Sequence, residues 1–299
     1  MATLKEVKTK IAGVKKTKQI TKAMNMVAAS KLRGAQSKME SFRPYAGKFA
    51  EVLGSLAGSA AEDASPLLVS RDEVKKINVV LCTSDRGLCG GFNANLLDKA
   101  ARFQKAKAAE GIEVSFTAFG KKGRDWCKKS NFPIVDAYVG VVGGTFDFSI
   151  ATASGRKLIK AFEDGEFDEV HVIYSEFIGM ARQIPVIRQL LPIPPLAKEP
   201  DFEEIEEIGK ESHVEHICEP SADALMGELL PKNICIQIYS GLLETSTSEH
   251  AARMAAMDNA SKACDDMIGN LTLAYNKARQ AAITAELMDI VGGAEALKG

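Results

Sequence analysis

Residues 79–93, VVLCTSDRGLCGGFN, gather the side chains best placed to do chemistry. An apolar β-branched run leads into Ser84, Asp85 and Arg86, then Gly87, Gly90 and Gly91, then Asn93 at the head of a helical pattern. A glycine-rich turn between strand and helix aims backbone N–H groups and the positive helix end at one point, which is what a phosphate needs. The chemistry falls short of the placement. A phosphate loop of the NTPase kind carries Lys and Ser or Thr directly after its last glycine, whereas Gly91 is followed by Phe92 and Asn93, and the spacing G-x-G-x-x-G also fails. The alternative is a structural turn: Ser84 and Asp85 satisfy turn amides, Gly87, Gly90 and Gly91 allow a tight path, and Asn93 caps the next helix.

Other candidates are sparser. Gly120, Lys121 and Lys122, and further on Glu176, fall at the ends of strand-like runs, where an open α/β sheet collects its ligands. The histidines are His171, His213, His216 and His250, and none stands in a spacing that proposes a Ser/His/acid arrangement. His213, His216 and Cys218 in HVEHIC have an i, i+3 pair that could share a helix face around a metal, against a solvated strand edge that needs no fourth ligand. The six cysteines form no C-x-x-C pair and read as reduced core residues.

The elements that position these residues follow from patterning. The central part alternates β-rich runs (INVVLCTSD, VSFTAFG, DEVHVIYSEF, IPVIRQLLPI) with helical ones (NANLLDKAARFQKAKAAEG, GRDWCKKSN, DFSIATASGRKLIKAFEDG), which implies an open, mostly parallel sheet. It is bounded by AGSAAEDASP and by the proline-rich, acidic LPIPPLAKEPDFEEIEEIG. On either side lie long amphipathic helices. Leu4, Val7, Ile11, Val14, Thr21, Ala28, Leu32, Ala35 and Met39 step by threes and fours, with Lys18 and Asn25 as polar interruptions. Met254, Met257, Ser261, Cys264, Ile268, Leu271, Tyr275, Ala278, Ala282 and Ala285 do the same, in a helix expected to start near TSTSEHAARM with Thr247 or Ser248 as cap. Each stripe alone would stay wet, so the two helices pair, and the domain between them makes the pair antiparallel. The expected division is a first coiled-coil helix over residues 1–59, an α/β domain over 72–200, an acidic linker over 201–220 and the second coiled-coil helix over 221–299.

Composition narrows the function. At 299 residues with 46% hydrophobic and 26% charged, the chain has room for one large or two smaller domains, and no apolar run nears the ~20 residues of a membrane span. The net charge of -1 hides an asymmetry: twelve Lys or Arg stand against two acids between Met1 and Ala50. Lys-rich helices suggest a nucleic-acid adaptor, but that segment has no interleaved stacking aromatics and the pI is near 6.5. The terminal helices are far longer than a sheet domain needs, and their small-residue faces, KAMNMVAASKLRGAQ and KARQAAITAEL, suit a coiled coil enclosed by partners.

Four stretches in order carry a resemblance: KIAGVKKTKQITKAMNMVAASKLRGAQ, TSDRGLCGGFN, YSGLLETSTSEHAARMAAMDNAS and LAYNKARQAAITAELMDIVGGAEAL. They resemble the gamma subunits of F-type ATP synthases. The resemblance implies an antiparallel coiled coil of the terminal helices with an inserted Rossmann-like open α/β domain, acting as a non-catalytic rotor shaft without a cofactor of its own. The implied partners are a ring of alpha and beta subunits, the epsilon subunit and the membrane c-ring, with no nucleic acid. By the same resemblance Met24 and Arg253 lie near the beta subunit's acidic lever, and Arg279, Gln280 and Thr284 touch the ring nearer its upper end. Glu219 lies near epsilon and the membrane ring. For Met24 and Thr284, plain coiled-coil packing is an equal alternative. The glycine loop becomes structural, with Gly90 and Gly91 expected to let the sheet domain lie close to the coiled coil. The chain lacks the chloroplast insertion and starts without a transit sequence, which implies the cytoplasmic face of a bacterial inner membrane. A stand-alone doubly wound nucleotide- or phosphate-binding enzyme with oligomerising helices is the alternative.

Overall fold

The computed structural model describes residues 4–57, 65–71, 73–194 and 221–296, so the expectations for Glu219, His213, His216, Cys218 and the acidic linker lie outside the described residues. The elements run α1 (Leu4–Ala57), β1 (Lys76–Cys82), α2 (Phe92–Ala109), β2 (Glu113–Phe119), α3 (Lys121–Lys129), β3 (Ile134–Tyr138), α4 (Phe148–Glu163), β4 (Glu169–Gly179), β5 (Arg182–Leu191) and α5 (Ala222–Ala296). They make two compact units. One joins Met1–Ala29 to Arg253–Gly299, and the other is Ser30–Ala252.

The first unit is an antiparallel helix pair. Lys18 pairs with Asp265, Thr21 Oγ1 lies 2.8 Å from Ser261 Oγ, and Asn25 Nδ2 donates to the Met254 carbonyl at 2.8 Å, so numbers rise on α1 as they fall on α5. Along the same seam Val7, Ala28, Met257 and Cys264 are buried, and Ile11, Val14, Ile268, Leu271 and Tyr275 are half-buried. The three-and-four stepping thus marks the seam. Continuing that register sets Leu4 level with the turn of Arg279, and the rest of α5 has no described α1 residue beside it.

The second unit is built on a five-stranded sheet in the order β3-β2-β1-β4-β5, parallel except for β5, which returns antiparallel along β4. β1 is buried from Ile77 to Cys82 and apolar there except for Asn78, because both its faces are covered. Val79 and Leu81 pack with Phe92, Leu96, Ala100, Phe116 and Cys127 under α2 and α3. Val80 and Cys82 turn the other way, onto a core of Leu158, Ile159 and Phe162 from α4 with Leu53, Leu56, Met226, Leu230, Ile234, Ile238 and Leu242 from the long helices.

Two differences from the sequence reading have physical causes. β3 carries no strand-length apolar run, being five residues with Asp136 at its centre, and it is held as a sheet edge by pairing to β2. α5 begins at Ala222, not near Thr247, and runs through Pro231. Thr247 is no cap: its hydroxyl donates back to the Leu243 carbonyl inside the helix, 2.9 Å away.

Candidate functional site

The turn after β1 sits where strand order reverses, between β1 and β4, the place where open α/β sheets bind ligands. Thr83 ties it to the neighbouring strand: its N–H donates to the Phe119 carbonyl at 2.8 Å, and its Oγ1 accepts from Gly123 N at 2.8 Å. This is why residue 120 is glycine. Its φ is +95°, and a Cβ there would stand 2.1 Å from the Thr83 carbonyl oxygen. Ser84 is consumed locally, its hydroxyl donating to the Arg86 carbonyl at 2.6 Å while its N–H donates to Asn93 Oδ1 at 3.1 Å. Asn93 Nδ2 donates to Ser84 Oγ at 2.8 Å.

Asp85 decides the chemistry. One carboxylate oxygen accepts the N–H of Lys121, at the start of α3, and the N–H of Gly140, after β3, both at 2.9 Å. The N–H groups at the head of α3 and after β3 therefore already hold a carboxylate of the chain itself, whose charge repels an anion approaching there. Arg86, Lys121 and Lys122 are exposed around it. The turn is a closed polar knot linking β1, α3 and the β3 exit.

Two expectations for this turn are corrected. Asn93 does not cap α2, whose N-cap is Gly91 without a side-chain bond, because its amide is turned back to Ser84. The glycines are not spacers against the helix pair: a Cβ on Gly91 would meet only the Asn95 side chain, and one on Gly87 only Lys122. Gly90 is needed for its φ of +58°, and the exposed Leu88 beside it holds +65°, a conformation uncommon outside glycine.

A second polar assembly escaped the sequence reading. β4 pairs with β1 only as far as Leu81–Ile173, but pairs with β5 out to Gly179–Arg182, so its far half has an edge with no strand beside it. α5 completes that edge with side chains. Phe177 N donates to Glu244 Oε2 at 2.8 Å, Ser248 Oγ donates to the Ser175 carbonyl at 3.1 Å, and Ser175 N reaches Thr245 Oγ1 at 3.5 Å. The other Glu244 oxygen takes Arg43 Nη2 of α1 at 2.9 Å. Unpaired buried backbone groups are costly, which is why a run as polar as ETSTSEH is buried on a helix otherwise packed by apolar residues. Nearby Lys31 Nζ donates to the Gly143 carbonyl at 3.0 Å, and the buried Glu249 and His250 approach at 2.8 Å. The signal in the sequence was the density of Ser, Thr and Glu in a stretch too apolar at both ends to be a loop.

The residues assigned to partners are placed as follows. The Asn25–Met254 bond sets Met24 and Arg253 at one level of the helix pair, both half-buried. Arg279, Gln280 and Thr284 are exposed further along α5, with Thr284 Oγ1 donating to the Gln280 carbonyl at 2.9 Å. Beyond them Ile283, Leu287, Met288, Ile290 and Val291 are each more than half exposed. Among the described residues no cluster of His, Cys, Asp and Glu could hold a metal ion, and no helix is long and apolar enough to cross a membrane. Glu176, the third strand-end candidate, faces Arg188 at 3.7 Å across the β4–β5 pair.

A family model described as ATP synthase matches residues 3–297. The chain is 67% identical over 300 residues to the ATP synthase gamma chain of Desulfosudis oleivorans, covering 100% of both, and 57% identical over 299 residues to that of Nitratidesulfovibrio vulgaris strain Hildenborough, again covering 100% of both. Its fold is like a chain of the Euglena gracilis mitochondrial ATP synthase OSCP/F1/c-ring structure, with a TM-score of 0.66 at 19% identity, over 98% of this chain and 94% of that one. It is also like a chain of the Tetrahymena thermophila central stalk and c-ring structure, with a TM-score of 0.58 at 24% identity, over 81% and 99%.

Proposed function

The chain belongs to the ATP synthase gamma family, and from that premise we propose that it is the central shaft of the rotor, carrying torque between ion flow through the membrane sector and ATP synthesis on a surrounding alpha/beta ring. The observation that carries this is the end of α5, where Ile283, Leu287, Met288, Ile290 and Val291 are exposed on one broad face of the helix, within about 160° of its circumference. Apolar surface of that extent on a helix end with no described helix beside it calls for a protein sleeve.

The shaft does no bond chemistry itself. In the α/β domain Asp85 already holds the amides at the head of α3 and after β3, and the family match over residues 3–297 does not favour the stand-alone enzyme. Met24 and Arg253 face the beta subunit's lever, and Arg279, Gln280 and Thr284 face the ring nearer the end of α5. Arg253 and Arg279 are 26 positions apart on one helix, so at ~1.5 Å per residue they serve levels ~39 Å apart. Glu219 belongs to the contact with epsilon and the c-ring. The protein is peripheral, on the cytoplasmic face of the bacterial inner membrane.

The experiment is reconstitution. Added to an ATP synthase complex lacking its gamma chain, this protein restores ATP hydrolysis and proton pumping, and alone it neither hydrolyses nor tightly binds nucleotide. Hydrolysis by the isolated chain, or failure to restore a gamma-depleted complex, overturns the reading.

A further inference from the structure

We infer that Glu244 is the positioning residue that locks the sheet domain to the two long helices, so that torque in the helices reaches the sheet without slip. The inference rests on the shaft reading above.

The argument starts from the bare half-edge of β4. Beyond Ile173 that strand has a described strand partner on one side only. Such an edge would take water or another strand. Instead the Glu244 carboxylate, on the buried stretch of α5, bonds to two other elements and so joins three: its Oε2 holds the Phe177 N–H of β4 and its Oε1 holds Arg43 of α1. Both oxygens are engaged, and its side chain is 10% exposed. Thr245 and Ser248 repeat the contact one residue and one turn on, against Ser175.

Apolar packing fixes distance well and sliding poorly, since dispersion contacts are non-directional. A charge-assisted carboxylate whose two oxygens bond to different elements resists shear because hydrogen-bond geometry is directional. The core under α4 holds the sheet against the helices, and Glu244 sets the rotational register between them. Arg43 is half-exposed, so it orients the carboxylate and can be changed without opening the core.

The test uses the assembled complex. In Glu244→Gln the amide oxygen can keep one of the two contacts, in Glu244→Ala both go, and Arg43→Gln leaves the β4 contact intact while removing the charge that aims the carboxylate. The ratio of protons pumped to ATP hydrolysed is expected to fall in the order Arg43→Gln, Glu244→Gln, Glu244→Ala, with hydrolysis itself kept because the ring-facing end of α5 is untouched. Hydrogen exchange at the Phe177 amide is expected to speed up at least ~10-fold in Glu244→Ala. If that amide is released and the pumping ratio stays at the parent value in all three variants, Glu244 is a plain stability residue and the inference is overturned. Equal loss of hydrolysis and pumping in all three overturns it as well. Failure of the unmodified chain to restore any activity would instead sink the shaft reading, so the two failures are distinguishable.

Discussion

Asp85 and Gly140 are joined across the top of the sheet by a hydrogen bond of 2.9 Å, from the Gly140 N–H to the same carboxylate oxygen that accepts the Lys121 N–H. Fifty-five residues apart, they tie the turn after β1 to the exit of β3. Asp85→Ala is expected to cost about 1–2 kcal/mol and to leave the α3 amides open to an anion. Sulfate should then raise the melting temperature of the variant more than that of the parent. Equal sulfate responses would show that the carboxylate does not occupy an anion position.

Gly120→Ala tests the crowding behind that turn. With φ at +95° and the new Cβ 2.1 Å from the Thr83 carbonyl oxygen, the substitution should cost about 3 kcal/mol or more, readable in urea unfolding. Gly111→Ala is the control: its φ is +80° but nothing lies within 4 Å, so only the backbone strain remains and the loss should be smaller.

Asp168 governs the acid limb. Burial would raise its pKa, but the N–H groups of Lys75 and Lys76 and the Arg71 guanidinium outweigh it and hold the carboxyl below its ordinary value. Its stabilising contribution is therefore complete above the unfolded value near ~3.9 and is lost as pH falls through the lower folded one. Asp168→Ala should lose about 2–4 kcal/mol at neutral pH and show a flatter acid dependence between about pH 4 and 2. An unchanged acid limb would remove Asp168 from this role.

Cys127 contributes to the alkaline limb together with the buried Cys82 and Cys235 thiols, which burial also pushes up. Burial pushes the Cys127 thiol up to about 12. The unfolded thiol ionises near ~8.5 while the folded one stays protonated, so its contribution is whole below about pH 8.5 and shrinks as pH rises toward 12. Cys127→Ala should flatten the stability profile over that window, and the parent thiol should alkylate slowly at pH 8. Rapid alkylation under native conditions would contradict its burial.

Arg253 and Arg279 separate the proposed levels of partner contact. A desolvated arginine contact typically costs about 2–5 kcal/mol when truncated and a solvated one almost nothing. Arg253→Ala should lower coupling with assembly kept, and Arg279→Ala with Gln280→Ala should weaken assembly or turnover. Parent-like rates and assembly in both would return these residues to a solvated face.

How much of this was legible depended on the range of each interaction. The seam of Val7, Thr21, Ala28, Met257, Ser261 and Cys264 could be read because a coiled coil repeats its demand every turn. β1, β2 and β4 could be read because burial on two faces makes them near-continuously apolar. β3 could not, since an edge strand bearing Asp136 lacks that signature and is set by its neighbour. Asn93 and Ser248 have the residue types of caps, yet each side chain bonds elsewhere: Asn93 to Ser84, nine positions back, and Ser248 to Ser175, seventy-three away. Propensity sees the residue type and not the distant partner. Glu244 was hidden for the same reason, its Arg43 partner lying 201 positions away.

That separation has a consequence for synthesis. A ribosome releases β4 and β5 well before it makes Glu244, Thr245 and Ser248, so for a time the growing chain carries an open strand edge that only its last quarter can cover. Unpaired edges are where nascent chains stick to one another. The order of emergence therefore makes this protein a client for chaperones that shield incomplete sheets, and truncation before α5 should yield inclusion bodies where the full chain stays in solution.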